Sequence, residues 1–216
     1  MPFQDREEAA RKLAERLQAY RGRSPLILAI PRGAVPMAKI IAEQLGGDLD
    51  VVLVHKLGAP GNPEFAVGSV DERGHVYLGD YANLEGPNGE YLEREKHAQL
   101  QTLAERRKRY TPVRPPLDPS GRVVIVVDDG IATGASMIAA LRAVRDSHPA
   151  RLIAATAVAP PETINKVRNE ADEVVCLETP EFFYAVGEFF RKFDQISDEQ
   201  VVALLGAEDK DSTRNQ

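Results

Sequence analysis

A chain of 216 residues is sized for one globular domain with a substantial core. Its net charge of −6 argues against general nucleic-acid binding, its single cysteine, Cys176, excludes an internal disulfide, and its four histidines lack zinc-ligand spacing. The opening MPFQDREEAARKL has no uninterrupted apolar core and no later segment reaches transmembrane length, so a cytoplasmic, soluble protein without membrane or nucleic-acid partners is expected.

In chain order, Asp5 and Glu8 form a capping-box pattern that starts a helix, Leu13 and Leu17 supply part of its apolar face, and Gly22 stops it. PLILAI (25–30) is a continuous aliphatic run, as in a strand buried on both faces. A turn at Pro31 to Gly33 leads to a helix over Val35 to Leu45, closed by Gly46 and Gly47. DVVLVH (50–55) reads as a second buried strand, and FAVGSV with HVYLG as a hairpin around the turn from Asp71 to Gly74. After the polar stretch 79–89 a charged helix is expected over Glu90 to Tyr110, then a proline-rich connector.

RVVIVVD is the next strand and Ala135 to Ser147 the next helix. RLIAATAVA and DEVVCLE are further strands, with a helix near Glu162 to Asn169 between them. Helices are expected over Phe183 to Phe193 and Asp198 to Leu205, before a frayed tail. Buried strands alternating with helices predict an α/β fold: a doubly wound, mostly parallel sheet flanked by helices, with a small hairpin or hood appendage. Residues 1–205 read as a single domain and 206–216 as a flexible tail. Ligands of such sheets bind beyond the carboxyl ends of strands, near the switch in strand order. That rule selects the positions after Ile30, His55 and Val127.

After Val127 stand Asp128 and Asp129, then GIATGAS opening a helix. The N–H groups of Thr133, Gly134, Ala135 and Ser136, two hydroxyls and the helix dipole suit a phosphate monoester, and Gly134 and Ala135 are small enough to admit it. Two aspartates beside a phosphate make sense when the ligand also offers donors. A ribose 5-phosphate does, through its cis-diol. No P-loop is present, because no lysine follows Gly134, and the glycines Gly130 and Gly134 do not make a dinucleotide fingerprint. The bland reading of TGAS alone is a hydroxyl-capped helix.

VVIVVDDGIATGAS, Val123 to Ser136, resembles the signature of the type I phosphoribosyltransferases: hydrophobic strand, two acids, then a loop with Thr-Gly and a final Thr or Ser. The likeness covers about fourteen residues, within a compatible order of elements from about Pro25 to Val175. It implies a Mg²⁺-dependent enzyme that moves ribose 5-phosphate from phosphoribosyl pyrophosphate to a nitrogenous acceptor and releases pyrophosphate. The loop residues Gly130, Ala132, Thr133, Gly134, Ala135 and Ser136 would hold the 5-phosphate. Asp128 and Asp129 would hold the ribose hydroxyls and contribute to the metal shell, directly or through water.

By the same resemblance, Arg32 and Gly33 belong to a pyrophosphate-binding turn with an unusual peptide at Arg32-Gly33, and Lys56 adds positive charge to the leaving group; a solvated arginine is the plain alternative for Arg32. His55 suits a structural strand end or a site role. A mobile cover would come from 57–62, from 79–96, or from both, and Arg94 and Lys96 read as a solvated helix face or as pyrophosphate ligands. Phe182, Phe183 or Tyr184 would stack on the acceptor, with packing or subunit contact as the other use for this aromatic segment. Cys176 reads as inert. Family members are commonly dimers, so a homodimer is possible. The rival readings are a regulatory protein that binds the same ligand without transfer, and a phosphate-binding hydrolase, for which no G-x-S-x-G elbow is present.

Overall fold

The computed structural model describes residues 2–79 and 89–206, with backbone alone at 63–66. Its first half runs α1 (Arg6–Arg16), β1 (Leu26–Ala29), α2 (Val35–Leu45), β2 (Asp48–Val51), β3 (Val54–Ala59), β4 (Asn62–Asp71), β5 (Val76–Leu78) and α3 (Gly89–Tyr110). The second half runs β6 (Val123–Asp128), α4 (Ala135–Arg145), β7 (Arg151–Val158), α5 (Pro161–Val167), β8 (Glu173–Glu178) and α6 (Asp198–Gly206).

Five strands form a wholly parallel sheet in the order β2-β1-β6-β7-β8. Residue alternation explains the aliphatic runs. Ile27, Ala29, Ile125 and Val127 pack on one face with α1 and α2, and Leu26, Leu28, Val124 and Val126 on the other with α4 and α5. A strand covered on both faces must be apolar at every position. From β1 the chain winds outward to β2, then returns to β6 and winds the other way through β7 and β8. The switch therefore falls between β1 and β6, whose carboxyl ends part to leave a crevice. The doubly wound architecture agrees with the sequence expectation.

The run DVVLVH departs from it. One strand over 50–55 is expected; the chain instead leaves the parallel sheet after Val51 and enters an antiparallel sheet, β3-β4-β5, at Val54. The Val52 N–H still donates to Ala29, while the Leu53 carbonyl already accepts from Glu72 of the second sheet. An aliphatic run that changes partners midway looks like a single strand, because both halves are buried. Asp50, buried within this run, accepts from the N–H groups of Val51 and Leu117. Burial pushes its carboxyl above the ordinary range. The hairpin reading of β4 and β5 agrees with their antiparallel register.

The N-terminal cap forms as the pattern predicts: Asp5 accepts from the Glu8 N–H at 2.9 Å. Glu8 reaches back one residue further, to the Gln4 N–H at 2.6 Å. The helix expected over Phe183 to Phe193 is replaced by one 3₁₀ turn, Val186–Phe189. Its flanking backbone bonds to the N-terminal segment instead: Phe3 N–H to Phe189 carbonyl at 2.7 Å, Arg191 N–H to Phe3 carbonyl at 2.8 Å. Phe3, Phe190 and Phe193 form a ring cluster there. Residues 80–88 of the second lid candidate, and the tail from 207, lie outside the described residues.

Candidate functional site

The carboxyl ends of β1 and β6, with β3 above them, enclose a cleft of about 480 Å³. Five of the expected residues line it: Arg32, Gly33, Lys56, Asp129 and Ser136. Arg6, His55, Arg106 and Phe193 line it too. The turn after β1 carries a cis peptide at Pro31-Arg32, one bond before the expected position.

The paired acids separate in role. Asp129 faces the cleft, where both Nε and Nη2 of Arg6 contact its Oδ2 at 2.9 Å. Asp128 is not part of the cleft lining; its Oδ1 accepts from the Asp129 N–H at 2.9 Å. Burial pushes the Asp128 carboxyl well up, and the neighbouring Asp129 adds to the effect. Burial raises Asp129 as well, opposed by the charge and hydrogen bond of Arg6. That opposition is how two adjacent acids persist at one strand end.

Gly33 seats this pair. A Cβ there would lie 2.1 Å from Asp129 Oδ2 and 3.2 Å from Arg6 Nη2. Residue 33 must therefore be glycine for the turn to lie against the carboxylate.

The loop after β6 passes from Ile131, which donates to the Val158 carbonyl, into α4. Gly134 has φ of +89°, a left-handed conformation that glycine adopts without steric cost. The N–H groups of Ala132, Thr133, Gly134 and Ser136 donate to no described residue, and the Ala132 carbonyl accepts from Thr163 Oγ at 2.8 Å. Uncommitted N–H donors at a helix start are the arrangement that favours an anion. Ser136 opens to the main cleft, whereas Thr133 and Ala135 edge a neighbouring cleft of about 200 Å³ beside Ser69 and Tyr77. Gly130 packs tightly under Val186: a Cβ would lie 2.4 Å from its Cγ1.

Opposite the acids stand cations. Arg32 lies 3.8 Å from Asp198 at the start of α6, which also holds Arg109 at 3.6 Å and accepts from the Tyr110 hydroxyl at 2.6 Å. Lys56 follows His55 on β3. The His55 Nδ1 lies 3.0 Å from the Lys56 carbonyl, and burial lowers its pKa. Because a carbonyl only accepts, Nδ1 carries the proton. Arg94 and Lys96 lie on α3 outside the lining, against Tyr91 and Glu93 respectively.

The aromatic expectation is redistributed. Tyr184 is 82% exposed and Phe182 79%, while Phe183 stacks on Phe189 at 5.4 Å. Neither Phe183 nor Tyr184 lines the cleft; Phe193, at the far end of the same aromatic segment, does. Arg6 and Arg106 carry no motif. The one available hint is that Arg6 opens α1, the positive end of a helix, where a cation is disfavoured unless something else holds it.

Among the described residues no three His, Cys, Asp or Glu side chains gather as a metal cage. Asp128 and Asp129 are the available carboxylates, one hydrogen-bonded inward and one sharing an oxygen with a guanidinium. Such a donor set fits a cation brought by an oxygen-rich ligand and retaining waters, as Mg²⁺ does. No described helix is long and apolar enough to cross a membrane.

Residues 4–193 match the family model described as phosphoribosyl transferase domain. Two Mycobacterium tuberculosis proteins named "Putative phosphoribosyl transferase", from strains CDC 1551 and H37Rv, are each 40% identical over 213 residues. The match covers 97% of this chain and 47% of theirs, so the chain spans about half the length of these curated relatives. The crystal structure of TT1426 from Thermus thermophilus is 46% identical with a TM-score of 0.81, covering 96% of this chain and 99% of that one. The family model spans the elements that build this crevice, and the chain belongs to the phosphoribosyl transferase domain family.

Proposed function

We propose that the chain binds phosphoribosyl pyrophosphate in this crevice and transfers its ribose 5-phosphate to a nitrogenous acceptor. One observation carries the reading: Asp129, Ser136, Arg32 and Lys56 share one cleft at the switch point between β1 and β6. The turn from Thr133 to Ser136 receives the 5-phosphate, and Asp129 accepts from ribose hydroxyls. Arg32 and Lys56 neutralise pyrophosphate; a guanidinium fork and an ammonium suit a polyanion.

The acceptor nitrogen attacks C1 as the C1–O bond to pyrophosphate breaks, and that bond's electron pair leaves with pyrophosphate. No protein nucleophile is needed, so rate enhancement comes from alignment and from stabilising charge on the leaving group. Mg²⁺, if brought with the diphosphate, would add to the neutralisation of that charge. Asp129, with Asp128 behind it, would hold such an ion directly or through water.

Calorimetric titration with phosphoribosyl pyrophosphate and Mg²⁺, followed by a panel of purine, pyrimidine and other acceptors, tests this. Saturable binding with acceptor-dependent pyrophosphate release is expected. Saturable binding with no release from any acceptor would turn the assignment to a sensor of the same ligand, and no binding would remove it.

A further inference from the structure

We propose that Arg6, on the N-terminal helix, is the positioning residue for Asp129 at the sugar-binding edge, an inference that rests on the phosphoribosyl reading above. Only 11% of the Arg6 side chain is exposed, unusual for a residue type that rarely leaves water. Its three functional edges are all committed. Nε and Nη2 meet Asp129 Oδ2 at 2.9 Å, and Nη1 donates to the Asp194 carbonyl at 2.8 Å. The guanidinium carbon lies 3.8 Å from the centre of the Phe193 ring, which itself stacks on Phe190 at 4.9 Å.

The support comes from the N-terminal segment and from residues 190–194. Phe190 packs on Phe3, the Asp5 cap fixes the first turn of α1, and Arg6 follows it directly. The C-terminal segment thus clamps the arginine, and the arginine clamps the carboxylate. Both contacts fall on Oδ2, the oxygen that Gly33 approaches; the Gly130 N–H also bonds this carboxyl group, whose remaining lone pairs are left for a hydroxyl donor.

Stability alone is a weak reason for this arrangement, since a buried ion pair is often no better than a well-packed apolar pair. Orientation is a stronger one. A carboxylate free to rotate would accept from the two ribose hydroxyls in many geometries, most of them unproductive for the attack at C1. The N-terminal helix, remote from the signature in sequence, is therefore part of the sugar site.

The test titrates the parent chain, Arg6→Met, Arg6→Lys, Asp129→Asn and the Arg6→Met/Asp129→Asn double variant with ribose 5-phosphate, and separately with metal-free pyrophosphate. Arg6→Met should weaken ribose 5-phosphate ~10–100-fold, the worth of one charge-assisted hydrogen bond. Metal-free pyrophosphate, whose proposed ligands are Arg32 and Lys56 rather than Asp129, should lose clearly less affinity than the sugar phosphate does. Arg6→Lys should recover part of the loss, and the double variant should bind no worse than Asp129→Asn.

Equal loss of both ligands would make Arg6 a structural residue and overturn the proposal, as would undiminished sugar binding or additive losses in the double variant. Should Arg6→Met fail to fold, Phe193→Leu loosens the guanidinium without removing its charge and must weaken ribose 5-phosphate alone. A parent chain that binds neither ligand sinks the phosphoribosyl reading itself; sugar binding that ignores Arg6 sinks only this one.

Discussion

A methyl group at position 33 would enter space that Asp129 and Arg6 already fill. The Gly33→Ala Cβ would sit 2.1 Å from Asp129 Oδ2, about 1 Å inside the closest approach that real Cβ atoms make. Backbone strain is not involved, because Gly33 is not among the positive-φ glycines. A free side chain would swing away at little cost, but this carboxylate is pinned through two 2.9 Å contacts. Retreat by 1 Å breaks the pairing with a nearly buried guanidinium. Losing one or two charge-assisted bonds costs about 2–3 kcal/mol, or roughly 5–10 °C in Tm for a chain of this size. Sugar binding should fall in step, because the carboxylate no longer points at the cleft. Thermal melts and ribose 5-phosphate titration read both effects, with Gly89→Ala as the control, where a Cβ would meet nothing within 4 Å. A Gly33→Ala variant with parental Tm and affinity would refute the seating argument.

Asp129→Asn should lower turnover by about 10² or more, in line with losses of a single transition-state contact; near-normal turnover in a folded variant would contradict the sugar-clamp role. Asp198→Ala orphans the buried Tyr110 hydroxyl and releases two half-exposed arginines. The hydroxyl dominates, so chemical denaturation should show a loss of about 1–3 kcal/mol, and an unchanged midpoint would count against it. His55 has its pKa lowered by burial, while Arg106 and Lys56 lower it further and Glu95 and the Lys56 carbonyl raise it. The unfolded chain then binds the proton more readily than the folded one. A stability penalty should appear as pH falls below the unfolded value of about 6.5 and grow down to the folded pKa. His55→Gln should flatten that slope in Tm measured against pH. Burial pushes the Cys176 thiol up to about 11, so alkylation at pH 8 should run at least about tenfold slower than in denaturant, where the ordinary thiol pKa returns.

The parallel sheet was readable because burial on both faces writes itself as unbroken aliphatic runs, and β1, α2, β6 and α4 fall where those runs and caps put them. Local grammar also located Gly33 and Asp129 after two strand ends, and Ser136 at a helix start, that the doubly wound topology brings together. It failed where a contact is distant in sequence. The 50–55 run feeds two sheets, and nothing local marks the exchange at Val52-Leu53. The aromatic segment 181–193 has helical spacing, yet its backbone pairs with residues 3 and 4, so periodicity misreads it. Arg6 sits 123 positions from Asp129, inside an ordinary charged helix start. Its role becomes visible only when residues 3–6, Asp129 and residues 190–194 are placed side by side.

A crystal structure of the chain with ribose 5-phosphate bound measures the central claim directly. The account predicts the phosphate on the N–H groups of residues 133–136 and at least one sugar hydroxyl within hydrogen-bond distance of Asp129, with Arg6 still paired to that carboxylate. A phosphate bound elsewhere, or a sugar edge turned away from Asp129, would contradict it.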